Sequence, residues 1–144
     1  MTDIIDLEPL HVVLARRLKR AEEEYPAFAK QARAKALPLI VKSSQHLGVA
    51  LQLGLPRVPE PFLIGLDVAP PQAEIDILLV HGGQPKIVGC FRMSALAVTL
   101  CDVNHPHYPK THSKAYITIP EEHDNRHEKA LKDGSLDFLK GGPR

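Results

Sequence analysis

Residues 74–93, EIDILLVHGGQPKIVGCFRM, decide the fold. Ile75, Ile77 and Leu79 alternate with Asp76, Leu78 and Val80. Successive side chains of a strand point to opposite faces, so EIDILLV predicts a largely buried strand. HGGQP, His81 to Pro85, has the length and the paired glycines of a hairpin loop, which makes KIVGCFRM the antiparallel partner. The two glycines also invite a phosphate-loop reading, because they let backbone amides approach an anion. The spacing of a P-loop is missing and no helix obviously follows, so a hairpin turn is expected.

Outward from this hairpin, ALAVTL and AYITI on the C-terminal side read as further strands, and FLIGLDV (Phe62 to Val68) reads as one before it, returned by APPQ. PRVPEP, Pro56 to Pro61, predicts an extended linker, since each proline biases its predecessor away from helix. Leu47, Val49, Leu51, Leu53 and Leu55 fall on alternate positions and predict a strand, with PLIV (Pro38 to Val41) a shorter strand before it. A helix capped by Ser43 or Ser44 is the competing expectation for 43–54.

The N-terminal part is helical in pattern. Asp6 is placed to cap a helix, with Glu8 and Pro9 in the first turn. Leu7, Leu10, Leu14, Leu18, Ala21 and Tyr25 make one apolar stripe, and Arg16, Arg17, Lys19 and Arg20 followed by Glu22, Glu23 and Glu24 form the polar side. Pro26 predicts a restart, with a second helix to about Ala36 turning Ala27, Phe28, Ala32 and Ala36 inward. At the other end, Glu121 to Gly134 predicts a short helix and GGPR a tail. Helices first and strands next, with few helical stretches between the strands, predict an α+β fold: two N-terminal helices on a mostly antiparallel sheet, with a short C-terminal helix. The expected organisation is one domain, with 1–37 helical, 38–120 carrying the sheet and a histidine-rich loop, and 121–144 the last helix and tail.

Composition narrows the function classes. With 44% hydrophobic and 24% charged residues, wholesale disorder is not expected of these 144 residues. A formal net charge of +1 excludes a polycation built to coat nucleic acid, and 5% aromatics without tryptophan argue against a base-stacking platform. Two cysteines are too few for a disulfide scaffold, and both Cys90 and Cys101 sit in apolar runs, where a buried thiol is expected. No apolar run approaches the ~20 residues of a membrane span, and no secretory signal is visible, so a soluble cytoplasmic protein is expected.

The candidate chemistry gathers in CDVNHPHYPKTHSKAYITIPEEHDNRH, residues 101–127, which holds five of the eight histidines. His105 and His107 flank Pro106 in an extended path, so both imidazoles can face one pocket. With His112, Lys114 and Tyr116 they offer an acid, a base and a cation near neutral pH. Such a set suffices for metal-independent RNA cleavage by internal 2′-hydroxyl attack. Solvated histidines on a proline-rich loop are the plainer alternative. Asp102, Asn104, His105, His107 and His112 together resemble the Asp-Asn-His…His-x-His element of some small toxin–antitoxin toxins. That resemblance covers barely a dozen residues, departs in the spacing of the closing histidines, and implies an RNase.

His123 and His127 stand four apart, the spacing of a two-histidine metal clamp that Cys101, His105, His107 or His112 could complete into a zinc site. The intervening residues do not form H-E-x-x-H, and an exposed helix face with incidental histidines is the alternative. Three functions therefore compete. One is a toxin-like RNase or other phosphodiester-acting enzyme without a cofactor, with RNA as partner. The second is a non-catalytic interaction or assembly protein, of the kind phages and other mobile elements carry, with a protein partner. The third is a zinc-binding protein. No membrane partner is expected, and the oligomeric state is left open.

Overall fold

The computed structural model describes residues 8–95, 97–103, 116–120 and 126–141. The element order is α1 (Leu10–Leu47), β1 (Leu51–Leu53), β2 (Leu63–Ile64), β3 (Asp67–Val68), β4 (Ala73–His81), β5 (Gln84–Met93), β6 (Ala97–Cys101), β7 (Tyr116–Pro120) and α2 (Arg126–Asp133), then a 3₁₀ turn over Asp137–Lys140. Five strands form one antiparallel sheet in the order β1-β4-β5-β6-β7. The antiparallel α+β expectation therefore holds.

The hairpin at 74–93 forms as its pattern requires. Gly82 and Gly83 both take positive φ, 62° and 84°, which a two-residue turn between twisted strands demands and which glycine adopts without steric cost. Ile75 faces Phe91 and Ile77 faces Gly89, after which the register slips so that Leu78 faces Ile87 and Val88 is the extra residue. This bulge explains why Val88 and Gly89 are buried in succession, while Cys90 is buried on the opposite face, beside Glu74 and Asp76.

The N-terminal half differs from expectation. One continuous helix of 38 residues replaces the two helices, with Pro26 and Pro38 both inside it. Proline removes one backbone bond and crowds the preceding turn, at a cost of ~3 kcal/mol each, yet it does not forbid a helix whose other residues are well buried. Ala21, Tyr25, Ala32, Ala36, Ile40 and Ser43 recur at three, four and seven and keep one buried face through both prolines. PLIV is consequently helix and not strand. The competition over 43–54 divides: helix runs to Leu47, Gly48 closes it in the left-handed conformation (φ 69°), and only Leu51–Leu53 pair as a strand. At the other end Pro9 stands at the helix start, where its carbonyl accepts from Val12 and Val13; Asp6 lies outside the described residues.

FLIGLDV is also corrected, because Gly65 (φ 65°) folds it into a tight hairpin of β2 against β3. The Tyr25 hydroxyl donates to the Ala69 carbonyl at 2.8 Å, and the Arg17 guanidinium donates to the Leu66 carbonyl at 2.7 Å, so this hairpin leans on the outer half of α1. The core lies between α1 and the sheet. Ala32, Ala36 and Ile40 meet Ile75, Ile77, Phe91 and Leu100, while Leu131, Leu136 and Leu139 close the far side. Among the described residues no helix is long and apolar enough to cross a membrane.

Candidate functional site

His105, His107, His112, Lys114 and His123 lie outside the described residues. Of the expected catalytic set only Tyr116 is placed, at the start of β7, where its backbone is paired with Cys101. Asp102 is buried immediately after β6.

His127 is described, and it corrects the exposed-face expectation. It is only 3% exposed, on the face of α2 that packs toward α1. Its Nε2 lies 3.0 Å from Ser43 Oγ, and the Ser43 hydroxyl donates to the Leu39 carbonyl at 2.9 Å. A serine has one proton to give, so its oxygen accepts from the imidazole and Nε2 carries the hydrogen. Nδ1 is then an unprotonated acceptor with no partner among the described residues. Outside this buried couple, the Lys42 ammonium meets Glu128 at 3.2 Å and pins the same two helices.

This environment sets the protonation state. Burial first, and then the Lys42 ammonium, hold the His127 pKa below its ordinary 6.5, while Glu128 pulls the other way. A second proton would sit on Nδ1, where no described acceptor waits. Because the folded-state pKa is depressed, the unfolded chain binds the extra proton first. The His127 contribution to stability is complete above about 6.5 and is lost as pH falls through the folded value. Thermal melting between pH 7 and pH 5 should therefore show wild type losing more stability than His127→Gln; parallel slopes would contradict a neutral buried His127.

The two cysteines face each other across the sheet, Cys90 on β5 opposite Cys101 on β6, both fully buried and not joined in a disulfide. Burial, with Glu74 and Asp76 beside it, pushes the Cys90 thiol up to about 11. A neutral thiol is a poor nucleophile and a poor metal ligand, which agrees with the expected role as a small apolar group. Beyond Asp76 the same sheet face carries an ion-pair ladder. Arg57 meets Asp76 at 2.7 Å and Glu74 at 3.5 Å, and Arg92 meets Glu74 at 2.9 Å. Among the described residues no group of three His, Cys, Asp or Glu side chains could hold a metal ion.

A concave feature lined by described residues lies elsewhere. A groove of about 490 Å³ runs between the outer half of α1 and the segment after β3, with Arg17, Arg20, Glu24 and Phe28 on one wall and Val68 and Pro70 on the other. The β2–β3 hairpin leaves Phe62, Ile64 and Leu66 at 55%, 61% and 58% exposure, and Leu10 on α1 is 56% exposed. Residue patterning alone missed this surface, because reading 62–68 as one strand buries half of it. Gly65 was the available signal, since a glycine inside a strand pattern marks a break.

No family model, curated protein or solved structure matches this chain.

Proposed function

We propose that the chain is a non-catalytic interaction protein that docks a protein partner through the outer half of α1 and the β2–β3 hairpin. The observation that carries this reading is the exposure of Phe62, Ile64 and Leu66 on the β2–β3 hairpin, whose following segment Val68–Pro71 walls the groove, and of Leu10 on a helix that continues beyond its buried Ala32–Ile40 segment. Isolated exposed apolar residues are ordinary. Several on one short hairpin are the usual mark of a binding surface. A 38-residue helix is about 57 Å long, against about 34 Å for the ten-residue β5. The excess length is apolar on the same face as the core.

RNA digestion decides between this reading and catalysis by the histidine segment. Wild type and His107→Ala are incubated with total RNA in chelator, and no cleavage is expected from either. Cleavage by wild type that His107→Ala reduces by the ~10²- to 10⁴-fold of a lost acid or base would overturn the interaction reading.

A further inference from the structure

The outer half of α1 carries an arrangement that a random apolar face would lack. Along one flank of α1, Leu10, Arg17, Glu24 and Gln31 recur every seven residues, with Val13 and Leu14, Arg20 and Ala21, and Ala27 and Phe28 between them, and from Arg17 to Gln31 this flank lines the groove. Seven residues are close to two helical turns, so these positions form one continuous seam, as in a two-stranded helical pair. The charges on the seam change sign at its centre. Arg17 and Arg20 precede it and Glu24 follows.

We propose that this seam and groove bind the same segment of α1 from a second copy of the chain, as an antiparallel helix pair about a two-fold axis between Arg20 and Ala21. The proposal rests on the interaction reading above and names its partner. The two-fold sets Arg17 opposite Glu24, Val13 opposite Phe28, Leu14 opposite Ala27 and Leu10 opposite Gln31, each pair occurring twice. A parallel pair would set Arg17 against Arg17 and Glu24 against Glu24, so like charges exclude that orientation. An isologous contact needs a surface complementary to itself, and a strip whose charge reverses at its midpoint is one.

The present contacts leave these groups available. Glu24 and Arg20 form no ion pair among the described residues, and Arg17 is half exposed, with one nitrogen given to the Leu66 carbonyl and Asp67 at 3.9 Å. Leu14 is half-buried and Leu10 is exposed, although they continue the stripe that is buried from Ala21 onward. A second α1 would cover them, and the Val68–Pro71 wall would hold it from the other side.

Sedimentation equilibrium on the full chain tests this, with fold checked by circular dichroism. Wild type is expected at twice 15.9 kDa, dissociating on dilution. Arg17→Glu places glutamate opposite Glu24 at both ends of the seam, and Glu24→Arg places arginine opposite Arg17. Each alone should weaken the pair roughly tenfold or more. Mixing the two variants restores both opposite-charge contacts, so a mixed pair should form more tightly than either variant with itself. Three results would overturn the proposal: wild type that stays monomeric at high concentration, single reversals that associate like wild type, or a mixture no tighter than its components. A monomeric wild type without RNA cleavage would remove the self-pairing and leave the interaction reading with another partner. Histidine-dependent RNA cleavage would remove the reading itself.

Discussion

Gly89→Val should destabilise the protein by about 3 kcal/mol, near the upper end for overpacking a core, and lower its melting temperature by roughly 10 °C. A Cβ built at Gly89 would stand 2.9 Å from Leu139 Cδ2, 3.1 Å from the Cys101 carbonyl and 3.2 Å from the Phe138 ring. The leucine tip can swing away, but the carbonyl belongs to the β5–β6 ladder and cannot. Gly54→Ala is the control, because its nearest neighbour is an ordinary 3.5 Å contact. Combining Gly89→Ala with Leu139→Ala should cost less than the sum of the two, since the second change opens the space the first needs. Strict additivity would mean that the 137–140 turn does not sit on β5.

Pro38→Ala should act in the opposite direction and stabilise by about 1–2 kcal/mol. Within a helix, alanine restores a bond from residue 38 to the Ala34 carbonyl and relieves the ring's crowding, for a gain of up to ~3 kcal/mol. The looser unfolded chain takes back about 0.4–1 kcal/mol. Pro38 is exposed, so no packing is lost. If this segment were the first residue of a strand, the substitution would gain no helical bond and the melting temperature would stay level or drop. The direction of the change therefore reports whether α1 is continuous.

That continuity is also where sequence reasoning and structure part. The β4–β5 hairpin was legible because alternation and a Gly-Gly turn are local signals that agree with each other. β6, β7 and α2 were legible for the same reason, with boundaries shifted by a few residues. At Pro26 and Pro38 the local signal said stop, and tertiary burial of Ala32, Ala36 and Ile40 won. The alternation from Leu47 to Leu55 arose by coincidence at a junction, where Leu47 ends a helix and Leu51 begins a strand. At the site, the sequence pointed to histidines without revealing which one is buried. Ser43 sits in the buried stripe of α1 and His127 on a different helix, and only the packing of α2 brings them to 3.0 Å. The groove was illegible because it depends on Gly65 turning one apparent strand into a hairpin. The expected catalytic residues other than Tyr116 lie outside the described residues, so their convergence stands as an expectation.

Residues 50–57 have one more consequence. Along the outer side of β4, Val80 donates to the Ala50 carbonyl, Gly54 to the Asp76 carbonyl, and Arg57 and Glu74 exchange both their bonds. β1 itself is three residues long, and Pro56, Pro59 and Pro61 follow within ten positions of it. The border of the sheet is thus stitched along most of β4 by a segment too short and too proline-rich to template another strand. Copies of this chain that meet at that border find no ladder to extend. At that border contact between copies is left to side-chain surfaces, and one that obeys a two-fold axis stops at two and does not grow into a fibre.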